Sequence, residues 1–167
     1  MGAEPSATHS AMQSPKEPQS STPWRLQRRV LPQHTDHAGV MWHGTYLAWL
    51  EEARVEALAA AGLAYADLSA AGYELPVVSL ALDYRQALLH GESIQLESWV
   101  LPRRGLKLPW LSRFVKPDGR VAAEARVELV LVKFDGGGGG AGSERRLLRQ
   151  WPEALAAAVE RLQRGPA

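Results

Sequence analysis

The sequence predicts an α+β fold in which one long helix lies against an antiparallel sheet. Two observations carry this. Residues 46–61 place apolar side chains at helical spacing, and residues 77–134 break into runs where apolar and polar residues alternate, separated by turn residues rather than by further long helices. No internal repeat is present, and 167 residues with 46% hydrophobic and 22% charged content suit one domain with a real core.

Taken in order, residues 1–23 are rich in Ser, Pro, Gln and Thr and poor in large apolar residues. They bury too little surface to offset the entropy of ordering, and read as a disordered tail. Order is expected from Trp24, with a first strand over 24–31 that ends at Pro32. In the helix 46–61, Tyr46, Leu47, Leu50, Ala53, Ala57, Leu58 and Ala61 fall at helical spacing while Glu52 and Glu56 sit four apart on another side. Its alanines suit close packing on a sheet, Gly62 suits a C-terminal cap, and 65–71 reads as a short helical piece closed by Gly72.

After Pro76 the texture changes. Residues 77–84 and 93–100 alternate as strands, with His90-Gly91 as the turn between them. A third strand over 106–115 carries Pro109 in its middle, which predicts a sheet edge or a bulge there. Lys116-Pro117-Asp118-Gly119 is a turn, and 120–134 reads as the longest strand. The glycine run 136–140, inside a loop over 136–142, reads as a tolerated insertion. A strand over 145–148 and a helix over 152–162 complete the same domain, so the main domain of 24–135 extends through 143–167.

Composition removes several classes of function. Nineteen Lys and Arg against eighteen Asp and Glu leave a net charge of +1, too little to hold the chain on nucleic acid or an anionic membrane. With no cysteine, disulfides, thiolate nucleophiles and Cys-based zinc sites are excluded, which suits a reducing cytoplasm, the expected location. No apolar run approaches the roughly 20 residues of a membrane span, and the first residues lack the apolar core of a signal peptide. Neither nucleic acid nor a membrane is therefore an expected partner.

Chemistry concentrates between His34 and Thr45. There is no Gly-x-Ser-x-Gly elbow, phosphate loop, dinucleotide fingerprint or His-Glu-x-x-His. His34, His37 and His43 lack a recognised ligand spacing, so no metal and no cofactor are expected. Asp36 has two readings. It is a turn or capping aspartate, or, with the Gly39 turn and a helix starting around His43 to Thr45, it is a carboxylate facing a helix end whose unpaired N–H groups polarise a carbonyl. The second is an arrangement for acyl transfer. Trp42, Tyr46 and Trp49 near the helix start read as acyl-pocket lining or as core. Glu51 and Arg54, at i and i+3, read as a helix-stabilising pair. Arg103, Arg104 and Lys107 form a compact basic cluster at a bend between strands.

The stretch from Asp36-His37-Ala38-Gly39-Val40-Met41-Trp42-His43 to Tyr46, followed by Glu51 and Arg54, resembles the signature of hotdog-fold acyl-CoA thioesterases of the 4-hydroxybenzoyl-CoA thioesterase branch. Leu82-Asp83-Tyr84 through His90-Gly91-Glu92 is similar to the family's strand and turn, with Ala87 where relatives often have proline and Glu92 where they often have aspartate. The resemblance covers residues 24–134. It implies a hotdog fold, an antiparallel sheet wrapped around one long helix, and a homodimer or homotetramer with the active site near the subunit interface. It further implies Asp36 as catalytic general base or nucleophile, the His43 backbone N–H as the group polarising the thioester carbonyl, and Gly39 as the turn that lets the backbone approach. Arg103, Arg104 and Lys107 match a basic bend that suits coenzyme A phosphates; the alternative is a solvated hairpin tip. The implied substrate is an acyl-CoA, with coenzyme A as part of the substrate rather than a cofactor. Aromatic acyl groups such as 1,4-dihydroxy-2-naphthoyl or 4-hydroxybenzoyl are favoured slightly over short aliphatic ones or acyl carrier proteins, and a non-catalytic acyl-binding protein on the same fold is the rival from another class.

Overall fold

The computed structural model describes residues 22–134 and 145–167, so the expected tail up to residue 21 and the glycine loop lie outside the described residues. In chain order the elements are β1 (Trp24–Arg29), a 3₁₀ turn (Pro32–His34), α1 (His43–Ala60), α2 (Tyr65–Ala70), β2 (Tyr73–Glu74), β3 (Val77–Tyr84), β4 (Ser93–Val100), β5 (Lys107–Val115), β6 (Val121–Val130), β7 (Val132–Phe134), β8 (Arg145–Leu147) and α3 (Glu153–Arg164). Five strands form one antiparallel sheet in the order β1-β4-β5-β6-β3, and β2, β7 and β8 form a small second sheet.

Helix α1 lies on the inner face of the large sheet. It buries Tyr46, Trp49, Leu50, Ala53, Ala57 and Leu58, and the alanines let the backbone approach strands whose facing residues are also small. Ala123 and Ala125 on β6 are fully buried, and Ser98 and Ser112, directly opposite on β4 and β5, satisfy each other's hydroxyls at 2.8 Å beneath the helix. Phe114 fills the space between, edge-on to Tyr46 at 4.9 Å. Each large side chain so buried contributes about 1.5–3 kcal/mol. The helix ends where Gly62 takes a φ of 92° and the Leu63 N–H returns to the Leu58 carbonyl, a glycine-dependent stop. Helix α3 packs beside α1 over the same face.

Three expectations need correction. Residues 120–134 do not form one strand: at Leu131 the chain leaves the large sheet, and β7 pairs instead with β2 and β8. Alternation reports which face a residue takes, not which neighbour it pairs with. Pro109 marks neither a bulge nor the outer edge, since β5 is central and its register shift lies at Phe114/Val115. Pro109 sits opposite Leu101, just past the end of β4. The Leu101 N–H reaches the Pro109 carbonyl at 2.9 Å, and the bond proline cannot return is replaced by Gln163 Nε2, which donates to the Leu101 carbonyl at 3.1 Å.

The third correction matters most for the site. Strands β3 and β4 are not a hairpin, because β3 pairs with β6 at the far edge of the sheet. The connection over residues 85–92 therefore crosses the end of the sheet. His90-Gly91 is its last turn, and the crossing brings Leu88, Leu89 and His90 against the loop that carries Asp36.

Candidate active site

Asp36 begins a tight loop. Its N–H donates to the Val40 carbonyl at 2.8 Å, the Gly39 N–H donates to the Asp36 carbonyl at 3.1 Å, and Gly39 turns with a φ of 74° that other residues rarely adopt. The side chain is held by its own loop: Oδ1 accepts from the Ala38 N–H at 2.8 Å and the Val40 N–H at 3.2 Å. Among the described residues Oδ2 accepts nothing, and the residue is exposed. One carboxylate oxygen is thus fixed while the other is presented to whatever approaches.

The loop runs straight into α1. Helices leave their first N–H groups without intrahelical acceptors. Thr45 returns its N–H to the Trp42 carbonyl, which leaves those of His43 and Gly44 without an acceptor among the described residues. The N-cap position is Trp42, which has no side-chain oxygen to offer, and no acid lies in the first turn. Val40, bonded to Asp36, is three residues before His43, so at most about 11 Å of chain separates the loop from the open helix end.

Two sets of contacts hold this geometry. The crossing segment is anchored by fully buried Leu88, and it grips the loop through the Met41 N–H to the Leu88 carbonyl (2.7 Å) and the His90 N–H to the Gly39 carbonyl (3.0 Å). From the other side, the His34 carbonyl accepts from the Trp42 N–H and from buried Thr45 Oγ1, each at 3.1 Å. The His34 ring accepts the Leu31 N–H on Nδ1 and sits edge-on to Trp49 at 5.2 Å. His34 is therefore part of the frame, whereas His37 and His43 are exposed, and among the described residues no group of three or more His, Asp or Glu could hold a metal ion.

Sequence reasoning missed Glu92 and Thr45. Glu92 lies behind the site: Oε2 accepts the Leu89 N–H at 2.7 Å and Oε1 the Lys116 ammonium at 3.0 Å. Partial burial works against its charge, but these bonds and the nearby Arg120 outweigh it and hold the carboxyl below its ordinary pKa. The only signal was its departure from the family's aspartate, which pointed to the turn and not to the loop across from it. Thr45 gave no signal, because a buried threonine at a helix start reads as ordinary packing.

The other expected residues divide. Tyr46 is buried with its ring edge-on to Tyr84 (5.0 Å) and Phe114, and burial, with Tyr84 and Glu92 adding, pushes its hydroxyl up to about 12, so it is a core residue beneath the site. Trp42 is exposed at the N-cap of α1; Leu31, Leu47, Tyr84 and Leu89 are exposed as well, and Leu89 bridges to Val40 of the loop. Arg54 is more than a surface pair for Glu51: the 2.9 Å bond is present, but the guanidinium is sunk in an apolar pocket between α1, α3 and β5, and burial lowers its pKa. Arg103, Arg104 and Lys107 lie at the β4–β5 turn, whereas the Asp36 loop lies by the start of β4, a separation of about 23 Å of strand. Arg103 donates to the Arg149 carbonyl and stacks on Trp151, and Lys107 pairs with Glu128, which leaves the Arg104 guanidinium without a partner among the described residues. One chain does not bring the basic bend to Asp36.

A fold of this kind, with a carboxylate loop leading into the central helix, invites comparison with known proteins. The model of the thioesterase-like superfamily matches residues 30–159. The chain belongs to that superfamily. Among relatives, the Synechocystis sp. protein sll0410, provisionally named an esterase, is 42% identical over 105 residues, covering 62% of this chain and 63% of its own length. The acyl-CoA thioester hydrolase YbgC of Escherichia coli O157:H7 is 26% identical over 113 residues, covering 68% of this chain and 84% of its own. Among solved structures, the DHNA-CoA thioesterase from Staphylococcus aureus matches with a TM-score of 0.68 at 24% identity, covering 81% of this chain and 88% of its own, which shows the hotdog fold. The matched residues of this thioesterase-like chain span the central helix and the loop before it. No helix among the described residues is long and apolar enough to cross a membrane.

Proposed function

We propose that the chain is an acyl-CoA thioesterase that hydrolyses its substrate to the free acid and coenzyme A. The carrying observation is the Asp36 carboxylate, fixed through Oδ1 and open at Oδ2, on a loop that leads into a helix start with unpaired N–H groups. The thioester carbonyl oxygen takes hydrogen bonds from the His43 and Gly44 N–H groups, which strengthen as it becomes an oxyanion; each well-placed donor of this kind contributes about 2.7–4 kcal/mol. Asp36 either removes a proton from water as the hydroxyl adds to the carbon, or attacks the carbon itself to give an anhydride that water then opens. In both routes the C–S bond breaks, and the coenzyme A thiolate leaves and is protonated.

The working unit is a dimer. β3 ends the sheet, so one row of its backbone N–H and C=O groups faces outward, and Val77, Val78, Leu80 and Tyr84 are exposed along it. Pairing two β3 strands antiparallel about a twofold axis continues the sheet and buries these side chains. It also brings the partner's β4–β5 turn to the same end as Asp36, so Arg104 of one chain serves coenzyme A phosphates at the site of the other. The acyl group is aromatic, as exposed Trp42 at the helix start favours and as the DHNA-CoA thioesterase among the structural neighbours supports.

The test is a panel of 1,4-dihydroxy-2-naphthoyl-CoA, 4-hydroxybenzoyl-CoA and short aliphatic acyl-CoAs with detection of the released thiol. Turnover is expected, greatest with an aromatic acyl group. Release from none of them overturns the proposal.

A further inference from the structure

Gly44 stands in the first turn of α1 without a backbone reason to be glycine. Its φ is not in the left-handed region, unlike that of Gly39 or Gly62, and a glycine inside a helix is less stable than alanine. What a side chain there would meet is the neighbouring indole. A Cβ on Gly44 would lie 2.5 Å from both Cζ2 and Cζ3 of Trp42, with Cη2 between them closer still, which places it over the face of the six-membered ring. The indole therefore lies flat on the Gly44 backbone. It is also edge-on to the His43 ring at 5.1 Å and still 46% exposed.

We propose that Trp42 is the specificity-determining residue of the site and that Gly44 is the residue that sets its pose. Held flat over the first turn, the indole walls the space beside the His43 and Gly44 N–H groups with an aromatic plane. A planar aromatic acyl group stacks on that plane while its carbonyl points at the donors; a short aliphatic acyl group gains much less from it. This inference rests on the thioesterase reading above and names the substrate class that its geometry selects.

The test follows from the conflict between helix propensity and ring pose. In Gly44→Ala the new methyl must displace the indole, which is free to swing because it is exposed, while the helix itself gains a better residue. Melting temperature is therefore expected to hold or rise. The ratio of kcat/KM for 4-hydroxybenzoyl-CoA to that for a short aliphatic acyl-CoA is expected to fall by roughly three- to tenfold, the range of an aromatic stacking contact. Trp42→Ala is expected to lower the same ratio. An unchanged ratio in either variant overturns the proposal while the thioesterase reading stands. Absence of any turnover by the unaltered chain overturns both.

Discussion

Replacing Glu92 by Gln tests whether the crossing segment positions the Asp36 loop. The carboxylate accepts a backbone N–H at 2.7 Å and an ammonium at 3.0 Å. Glutamine has one acceptor for two donors and turns its NH₂ toward one of them. Hydrogen bonds to a charged group are worth about 1.5–3 kcal/mol, but the side chain is one-third exposed and solvent screens it, so a loss of about 1 kcal/mol is expected, or about 3 °C in melting temperature. The sign of the pH dependence follows from the depressed pKa. A carboxyl whose folded pKa lies below its ordinary 4.5 adds stability that is complete above that value and is lost as pH falls through the folded one. The gap between the unaltered chain and Glu92→Gln should thus be widest near neutral pH and shrink as the solution is acidified below about pH 4. Thermal unfolding followed by circular dichroism across that range reads it directly. A gap that is absent near neutrality, or that stays constant on acidification, refutes the role given to this carboxylate.

Other predictions concern the frame, the interface and the basic bend. Thr45→Val keeps the shape and removes the hydroxyl that holds the His34 carbonyl, so kcat should fall roughly tenfold or more through misplacement of the loop. Thr45→Ser, which keeps the hydroxyl, should recover most of that loss; equal losses in the two would mean packing alone is at work. Leu80→Arg places a charge on the exposed β3 edge and should give monomers by sedimentation velocity where the unaltered chain gives dimers, whereas unaltered chain that already sediments as a monomer removes the interface. Arg104→Glu should raise KM for acyl-CoA far more than it changes kcat, with the effect fading at high salt; an unchanged KM at low salt returns Arg104 to a solvated hairpin tip.

The parts of this molecule that local pattern decides were legible in the sequence. Helix α1 was readable from apolar spacing over 46–61, and its start, which lies at His43, only as falling around 43 to 45 after the Gly39 turn. Strands β3 to β5 were readable from alternation and turn residues. Pairing was not, because it depends on contacts distant in sequence. The same alternation that marks 120–134 as strand is silent on the change of partner at Leu131, and the turn at His90-Gly91 looks the same whether it closes a hairpin or ends a crossover. That second ambiguity hid the roles of Leu88 and Glu92, which support the candidate site only because β3 lies at the far edge of the sheet. Asp36 and Gly39 stood out because charge and turn chemistry are local. Thr45 and His34 did not, because what they contribute is a hydrogen bond to a carbonyl, and any sequence has a carbonyl at every residue.

The central claim is that the open oxygen of Asp36 performs the chemistry of thioester cleavage. The most direct measurement is the steady-state hydrolysis of an aromatic acyl-CoA by Asp36→Asn beside the unaltered chain, with unfolding curves of both. Asparagine keeps a carbonyl oxygen to accept from the Ala38 and Val40 N–H groups, so the loop and the stability should be retained while the charge is removed. The account predicts loss of at least about a hundredfold in kcat, the scale of general acid–base catalysis, with melting within about 1 °C of the unaltered chain. Turnover close to that of the unaltered chain, by a variant that folds as well, would contradict it.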